Sequence, residues 1–211
     1  MIGQILAFAG LIISLGTLIA RELVAVPNSV ASGQGFGGAV FIYLSFIGVM
    51  ANFFFVYCYA VAVFPKLRVL SLFEQQDVAG FGVPLSVVTM AANALVAGSH
   101  YTPHGMFLLS DLILNFVAPL IFLAWWTTAV SARTLTNRVL FPWLVAFGAY
   151  LVLVALAGAV TGIYPYASLD VHVGGLGEVA LYTGLALILF LAISLATIEV
   201  DRQVGRRVQG A

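Results

Sequence analysis

Residues 139–163 read VLFPWLVAFGAYLVLVALAGAVTGI, a stretch of 25 residues without one charged side chain. An α-helix needs about 20 apolar residues to cross the hydrocarbon core of a bilayer, and this stretch is long enough. Five further parts of the chain are similarly apolar, and Asp111 and Glu178 are the only charged residues inside them. Together they predict six spans, at about 2–20, 38–64, 80–98, 107–131, 139–163 and 176–198.

The composition of the whole chain supports a membrane protein. Charged residues make up 8% of the 211 residues and hydrophobic residues 63%, whereas about 25% of a typical soluble domain is charged. The polar surface is too small to cover a soluble globule of this size. We therefore predict an all-α integral membrane protein with one six-helix domain over 1–211 and a short cytoplasmic tail at 199–211. The net charge is zero and no basic block is present, which argues against a nucleic-acid partner.

The basic residues predict how the chain is oriented in the membrane. Seven of the eight fall on one side of the predicted spans, and they are Lys66, Arg68, Arg133, Arg138, Arg202, Arg206 and Arg207. Only Arg21, at the end of the first span and before a predicted flexible loop at Pro27 to Gly38, falls on the other side. The positive-inside rule then places both termini in the cytoplasm. The preference for arginine over lysine suggests a GC-rich gene and favours a bacterial inner membrane.

Four polar residues inside the predicted spans are candidates for a binding site. Asn52 lies in span two, Asn93 in span three, and Asp111 and Asn115 in span four. Because Asp111 and Asn115 are four residues apart, they share one helix face. These groups either converge on a polar pocket that opens toward the outer leaflet, or act as hydrogen-bond contacts between helices, each contributing about 1 kcal/mol or less.

The histidines lie between the predicted spans on the outer side. His100 and His104 fall between spans three and four, and His172 falls between spans five and six, close to Asp170. Imidazole and carboxylate groups are zinc ligands, so these residues are candidates for a metal site. The segment from His100 to His104 contains a proline and need not be helical, which favours an ordinary solvent-exposed loop. We predict no cofactor.

The segment Tyr164-Pro165-Tyr166 follows span five and predicts a turn. Proline restricts its own φ and disfavours a helical conformation in the residue before it, so span five should end there. The tyrosine rings suit the headgroup region, and Asp170 can accept hydrogen bonds from the turn. The turn is either a structural lid or a direct contact for a ligand.

Three tryptophans lie near the predicted cytoplasmic ends of spans four and five, at Trp125, Trp126 and Trp143. Tryptophan is enriched at membrane–water interfaces. We therefore predict that all three are interfacial anchors.

Several motifs from Asp111 onward resemble the androgen-induced membrane-protein superfamily. They are the stretch 111–126 with Asp111, Asn115, Pro119, Trp125 and Trp126, then Phe141-Pro142-Trp143, the segment 161–170 around Tyr164-Pro165-Tyr166, and Gly174, Gly175 and Gly177. The similarity covers spans two to six. Animal members of that superfamily hydrolyse fatty acid esters of hydroxy fatty acids, and its bacterial relatives are largely uncharacterised.

The resemblance implies a site in which the catalytic groups are missing. Family hydrolases are thought to use a threonine nucleophile in an early span and a histidine base in span four. The corresponding positions here are Gly48 or its neighbourhood and Asn115. Glycine has no side chain, and an amide cannot take up a proton at neutral pH. Ser45 is the only nearby hydroxyl that we consider as a substitute nucleophile.

Two functions follow as expectations from this comparison. The first is a catalytically degenerate relative that binds a lipid or isoprenoid-like molecule, or packs as an accessory subunit against a larger membrane complex. The alternative is an active intramembrane hydrolase of fatty acyl esters that uses a substitute nucleophile. Membrane lipids are the expected partners in either case.

Overall fold

The structure, a computed structural model, describes residues 2–33, 35–66, 76–96, 104–130 and 135–209. Over these ranges the chain forms helices and no β-strand, which confirms the all-α fold class. The helices are α1 Ile2–Ala31, α2 Phe36–Ser45, α3 Ile47–Val63, α4 Gln76–Val96, α5 Met106–Leu112, α6 Ala118–Ala129, α7 Leu140–Thr161 and α8 Val171–Gln209. A π-helical turn, Ile113–Val117, joins α5 to α6, and short 3₁₀ turns occur at Asn137–Val139 and Ala167–Leu169.

Five of these helical segments are long and apolar enough to cross a membrane. They are α1, α4, the continuous segment Met106–Ala129, α7 with the turn before it, and most of α8. Helices α2 and α3 meet the same criteria only as a pair, and the two are bent by 79°. The described residues thus contain five helices that could span a membrane, or six if the bent pair counts as one. This architecture is compatible with a multi-pass membrane protein.

The first helix is longer than the sequence predicted. Helix α1 does not stop at Arg21 but continues to Ala31, with Pro27 inside it, and it gives way to Gly33 at φ 95°. Most of the predicted loop from Pro27 to Gly38 is therefore helical, in α1 or at the start of α2, and that prediction was wrong. The reason is tertiary, because Arg21 is buried against α5 and does not mark a surface boundary.

The second predicted span is broken. Phe46 has an extended backbone, with φ −75° and ψ 126°, between the end of α2 and the start of α3. Kinks usually occur at proline, at glycine or serine pairs, or where a side chain enters the helix ladder. The break here is stabilised by side chains from other helices, which are described below.

Small residues bring α1 close to its neighbours. A Cβ atom on Gly10 would lie 2.3 Å from the Tyr59 ring of α3, and one on Gly3 would lie 2.4 Å from the Cβ of Ala129 in α6. Such close approach increases van der Waals contact, which drives helix association in lipid. Helix α1 therefore packs against both α3 and α6.

Aromatic rings from α3, α4, α6, α7 and α8 fill one hydrophobic core. Phe55 and Phe122 stack with centroids 4.4 Å apart, and Phe147 stacks on Phe190 at the same distance. The three tryptophans belong to this core and expose only 4–7% of their surface. The prediction that these tryptophans are interfacial anchors was therefore wrong, because their rings turn toward neighbouring helices. The indole of Trp143, for example, donates a hydrogen bond to the Asp77 carbonyl at 3.0 Å.

The loop between α7 and α8 follows the predicted turn closely. Helix α7 ends at Thr161, and Gly162 takes the left-handed conformation that ends many helices, with φ 70°. The Tyr164 ring then folds back onto Gly158, where any Cβ would lie 2.1 Å from it. The second tyrosine, Tyr166, extends toward the break between α2 and α3.

Candidate functional site

A buried ion pair connects α1 to α5. Nη1 of Arg21 contacts the carboxylate of Asp111 and donates to Ser110 Oγ at 2.9 Å. The two charged side chains expose 7% and 14% of their surface. A charge removed from water is costly unless it is paired and hydrogen-bonded, so each residue depends on the other.

Two phenylalanine rings lie beside the guanidinium group of Arg21. Its Cζ atom lies 5.8 Å from the ring centroid of Phe46 and 5.8 Å from that of Phe107, which is the range of a cation–π interaction. Phe46 is also the residue at which the second span breaks. The ion pair therefore lies directly beside the break.

Two tyrosine hydroxyls satisfy the backbone groups that the break leaves free. Tyr150 of α7 donates to the Ser45 carbonyl at 2.9 Å, and the Ile47 N–H donates to the Tyr166 hydroxyl at 3.0 Å. Irregular backbone at membrane depth is tolerated only where protein covers it or where it lines a cavity. Burial raises the pKa of Tyr166 to about 12, so its hydroxyl stays protonated at neutral pH.

Asn52 joins α3 to the π-helical turn. Its Nδ2 donates to the Gly48 carbonyl at 2.6 Å and to the Leu114 carbonyl at 2.7 Å. In a π-helix the partner of the Leu114 carbonyl is the N–H five residues on, but that residue is Pro119, which has none. Asn52 therefore supplies the donor that proline cannot.

Asn115 and Gly48 are in direct contact. The Nδ2 of Asn115 donates to the Asp111 carbonyl at 2.9 Å, which holds the amide in place on its own helix. A Cβ atom on Gly48 would lie 2.2 Å from Asn115 Oδ1, far inside van der Waals contact. Glycine at position 48 is thus what allows α3 and the π-helical turn to approach so closely.

Three fully buried polar atoms have no hydrogen-bond partner within the described ranges. They are Ser14 Oγ in α1 and, in α3, Asn52 Oδ1 and Tyr59 OH. Buried groups of this kind are rare and usually bond to water or to a ligand. In Asn52, Nδ2 therefore makes two hydrogen bonds while Oδ1 makes none among the described residues.

The structure brings together some of the residues predicted from sequence and separates others. Around the break lie Ser45, Asn52, Asp111, Asn115 and Tyr166. Asn93 lies half-buried on α4 and makes no hydrogen bond to Asp111 or Asn115 in the part of the chain that is described. Tyr164 and Asp170 stay within the loop before α8.

Three residues of this site were missed by the sequence reasoning: Arg21, Phe46 and Tyr150. One signal pointed to Arg21. An acidic residue inside a span is expected to have a partner of opposite charge, and Arg21 was the only basic residue predicted on the same side as Asp111. No local pattern marked Phe46 or Tyr150.

The loop histidines form no metal site within the described residues. In those ranges no three histidine, cysteine, aspartate or glutamate side chains are grouped closely enough to bind one metal ion. His100 lies outside the described ranges. His104 is exposed, and the backbone N–H of His172 donates to the Asp170 carboxylate at 2.8 Å, as in a turn.

The hydroxyl of Ser45 is poorly placed for nucleophilic attack. It is fully buried and donates to the Ile42 carbonyl at 2.6 Å. A nucleophilic hydroxyl needs a base that can remove its proton, and a carbonyl oxygen cannot do this. Among the described residues, the hydroxyl of Ser45 therefore has no base beside it that could accept its proton.

Two shallow cavities of about 200 Å³ each lie away from this site. The first is an apolar groove between α7 and α8, lined by residues such as Leu151, Val154, Leu169 and Val179. The second lies between α1 and α3, at Gln4, Phe8, Ala62 and Val63. Neither touches the ion pair or the asparagines.

Comparison with protein families, with curated proteins and with solved structures gives no match for this chain.

Proposed function

We propose that the chain is a bacterial inner-membrane protein with six spans and both termini in the cytoplasm. The broken pair of α2 and α3 supplies the sixth span. The seven basic residues on the predicted cytoplasmic side support the orientation. Arg21, the one exception, is neutralised by Asp111 inside the protein and so does not weigh against it.

We further propose that the protein is a catalytically degenerate relative of lipid-ester hydrolases that binds a lipid-like molecule. The observation that supports this is the contact between Gly48 and Asn115. The resemblance implies a nucleophile and its base at these two positions, and the two positions are in contact. Neither residue can perform the chemistry, because one lacks a side chain and the other is an amide.

The remaining groups suit binding. The site combines a guanidinium group, aromatic rings and a buried amide oxygen that has no hydrogen-bond partner among the described residues, all at apolar helices. Ligand sites usually pair apolar walls with a few well-placed polar groups. A lipid that presents a polar head to the break and its chains to the surrounding helices fits this description.

The first experiment tests turnover. The protein is purified in native lipid and given a long-chain acyl ester. We expect wild-type protein to hydrolyse it no faster than the Ser45→Ala variant, because no base activates the serine. Hydrolysis by the wild type that Ser45→Ala abolishes would establish the alternative, an active hydrolase.

The second experiment tests binding by mass spectrometry of lipids that stay with the protein after detergent exchange. We expect one lipid class to be retained at about one molecule per chain, and the Asn115→Leu variant to retain less of it. Leu120→Ala is the control, since Leu120 is 55% exposed on the same span. Retained lipid with the composition of the bulk membrane would contradict the binding proposal, and a co-purifying membrane protein would favour the accessory-subunit role.

A further inference from the structure

Two hydroxyl groups in the packed helices α1 and α3 are buried without a partner. They are Ser14 Oγ and Tyr59 OH, and both side chains are fully buried. Neither hydroxyl makes a hydrogen bond to any of the described residues. The third atom of this kind, Asn52 Oδ1, belongs to the site at the break. Buried polar groups are rarely left unpaired, and internal water is a common partner where the protein supplies none.

Ser14 differs from other buried hydroxyl residues in the apolar helices. Ser86, Thr89 and Ser194 each donate to the carbonyl four residues earlier on the same helix. The hydroxyl of Ser14 makes no such bond to the Gly10 carbonyl. Since bonding back to its own helix is the usual way for a serine in a helix to satisfy its hydroxyl, Ser14 Oγ remains available to a group outside α1.

The two hydroxyls lie close to the same face of α1. Tyr59 OH is 2.7 Å from the position that a Cβ atom would take on Gly10. Ser14 follows Gly10 by four residues, and Cβ positions at this spacing are about 5–6 Å apart, so Tyr59 OH lies within about 9 Å of the Ser14 Cβ. Hydrogen-bonded oxygens are about 2.8 Å apart, so one water molecule links oxygens separated by about 5.6 Å and two water molecules link oxygens about 8 Å apart.

The surroundings favour a small and uncharged ligand. The Tyr59 ring packs against the rings of Phe122 and Trp125 in α6, and a charged ligand would be costly among these apolar groups. Both hydroxyls are enclosed, so the ligand must also be small. A hydroxyl can donate and accept a hydrogen bond, and water can do both for each of the two groups.

A route for water exists at one end of the same interface. The second cavity described above lies between α1 and α3 and has the exposed amide side chain of Gln4 in its wall. Its other wall includes Val63, which is four residues, or about one helical turn, from Tyr59. Water in this cavity therefore has a short distance to cover.

We propose that the interface of α1 and α3 contains a buried water site, in which one or two water molecules link Ser14 Oγ to Tyr59 OH. The water satisfies both hydroxyls and joins the two helices. This inference does not depend on the lipid-binding function, because neither hydroxyl belongs to the site at the break.

A density map of the protein in lipid nanodiscs, at a resolution that shows ordered water, is the direct test. We expect compact density within hydrogen-bond distance of both hydroxyls, or two such features in a row between them. A direct bond between the hydroxyls, a dry gap, water that reaches only one of them, or density larger than water would each overturn the proposal.

Radiolytic footprinting provides an independent test, because X-rays generate hydroxyl radicals from bound water in place. We expect Tyr59 to be oxidised severalfold faster than Tyr43, which is almost as buried but donates to the Leu18 carbonyl. Ser14→Ala should lower the rate at Tyr59 and leave Tyr43 unchanged. Equal rates at the two tyrosines in the wild type would contradict the water site.

A double-mutant cycle measures whether the two hydroxyls share the water. Ser14→Ala and Tyr59→Phe should each lower the Tm by about 2–4 °C, the shift expected from loss of one hydrogen bond in a chain of this size. Together they should lower it by less than the sum. Ser194→Ala combined with Tyr59→Phe is the control and should be additive, because Ser194 bonds to its own helix. An unchanged or higher Tm in Tyr59→Phe would show that its hydroxyl has no partner, and the inference would fail.

Discussion

At the scale of single residues, the site depends on two residues, Gly48 and Arg21, that each make a close contact with another helical segment. Gly48 provides the space that Asn115 Oδ1 occupies, and Arg21 compensates the charge of Asp111. Each of these pairs joins two helices that are far apart in sequence. Substitutions of these residues should therefore lower the stability of the protein more than substitutions of similar residues elsewhere.

We expect Gly48→Ala to destabilise the protein by about 1–3 kcal/mol, the usual cost of overpacking, because its Cβ would meet Asn115 Oδ1 at 2.2 Å. Asn115→Ala in the same protein should recover part of the loss. The measurement is thermal unfolding in detergent. Gly184→Ala is the matched control, since nothing lies within 4 Å of that position, and an equal loss there would contradict the prediction.

At the scale of elements, the second span is two short helices held at a bend by other parts of the chain. Helix α7 contributes Tyr150, and the loop after it contributes Tyr166, to the two sides of the break. Within α3, Asn52 also donates a hydrogen bond to the π-helical turn. The break itself is thus stabilised by hydrogen bonds from two separate elements, α7 and the loop after it.

Removing the tyrosine hydroxyls should loosen the break. We expect Tyr150→Phe and Tyr166→Phe each to cost about 1 kcal/mol and to raise hydrogen exchange at residues 45–49, because each leaves a backbone group without its partner. Tyr182→Phe is the control, as this tyrosine of α8 is 40% exposed. Unchanged exchange in the double variant would show that the hydroxyls do not stabilise the bend.

The role of Asn52 can be isolated by restoring the missing backbone donor. Asn52→Leu should lower stability because it leaves the Leu114 carbonyl without its donor. Pro119→Ala returns an N–H to the π-helical turn, so Asn52→Leu should cost less in that background. A double-mutant cycle measured by thermal unfolding gives the coupling. Additive effects would mean that the amide and the missing proline N–H are unrelated.

At the scale of the whole molecule, one end of the helices carries most of the charge and the other carries the polar site. The proposed cytoplasmic side has the basic residues and the end of α8, where Asp201 accepts a hydrogen bond from the Leu135 N–H at 3.1 Å. The break and its ion pair then lie toward the outer side.

Orientation is tested by labelling single cysteines with an impermeant reagent in intact cells. In a Cys58→Ser background, we expect Val173→Cys to react from outside and Gln203→Cys to react only after lysis, because the basic residues hold the tail inside. Labelling of Gln203→Cys in intact cells would invert the topology and place the site near the inner leaflet.

The amino-acid sequence alone determined the helical class, the approximate positions of the apolar helices and the shared face of Asp111 and Asn115. These features follow from composition and from the period of the helix, which are local properties of the chain. The bond from Asn115 Nδ2 to the Asp111 carbonyl shows that this local geometry holds.

Only the tertiary structure decided how α1 continues past Arg21, where the second span breaks, and which way the tryptophans face. Arg21 is buried inside the protein because Asp111, 90 residues away, neutralises it. Phe46 breaks a helix without a local proline because Tyr150 and Tyr166 provide the missing hydrogen bonds. A charge or a free backbone group is costly in an apolar interior until a partner is found, and in each of these cases the partner comes from a distant part of the chain.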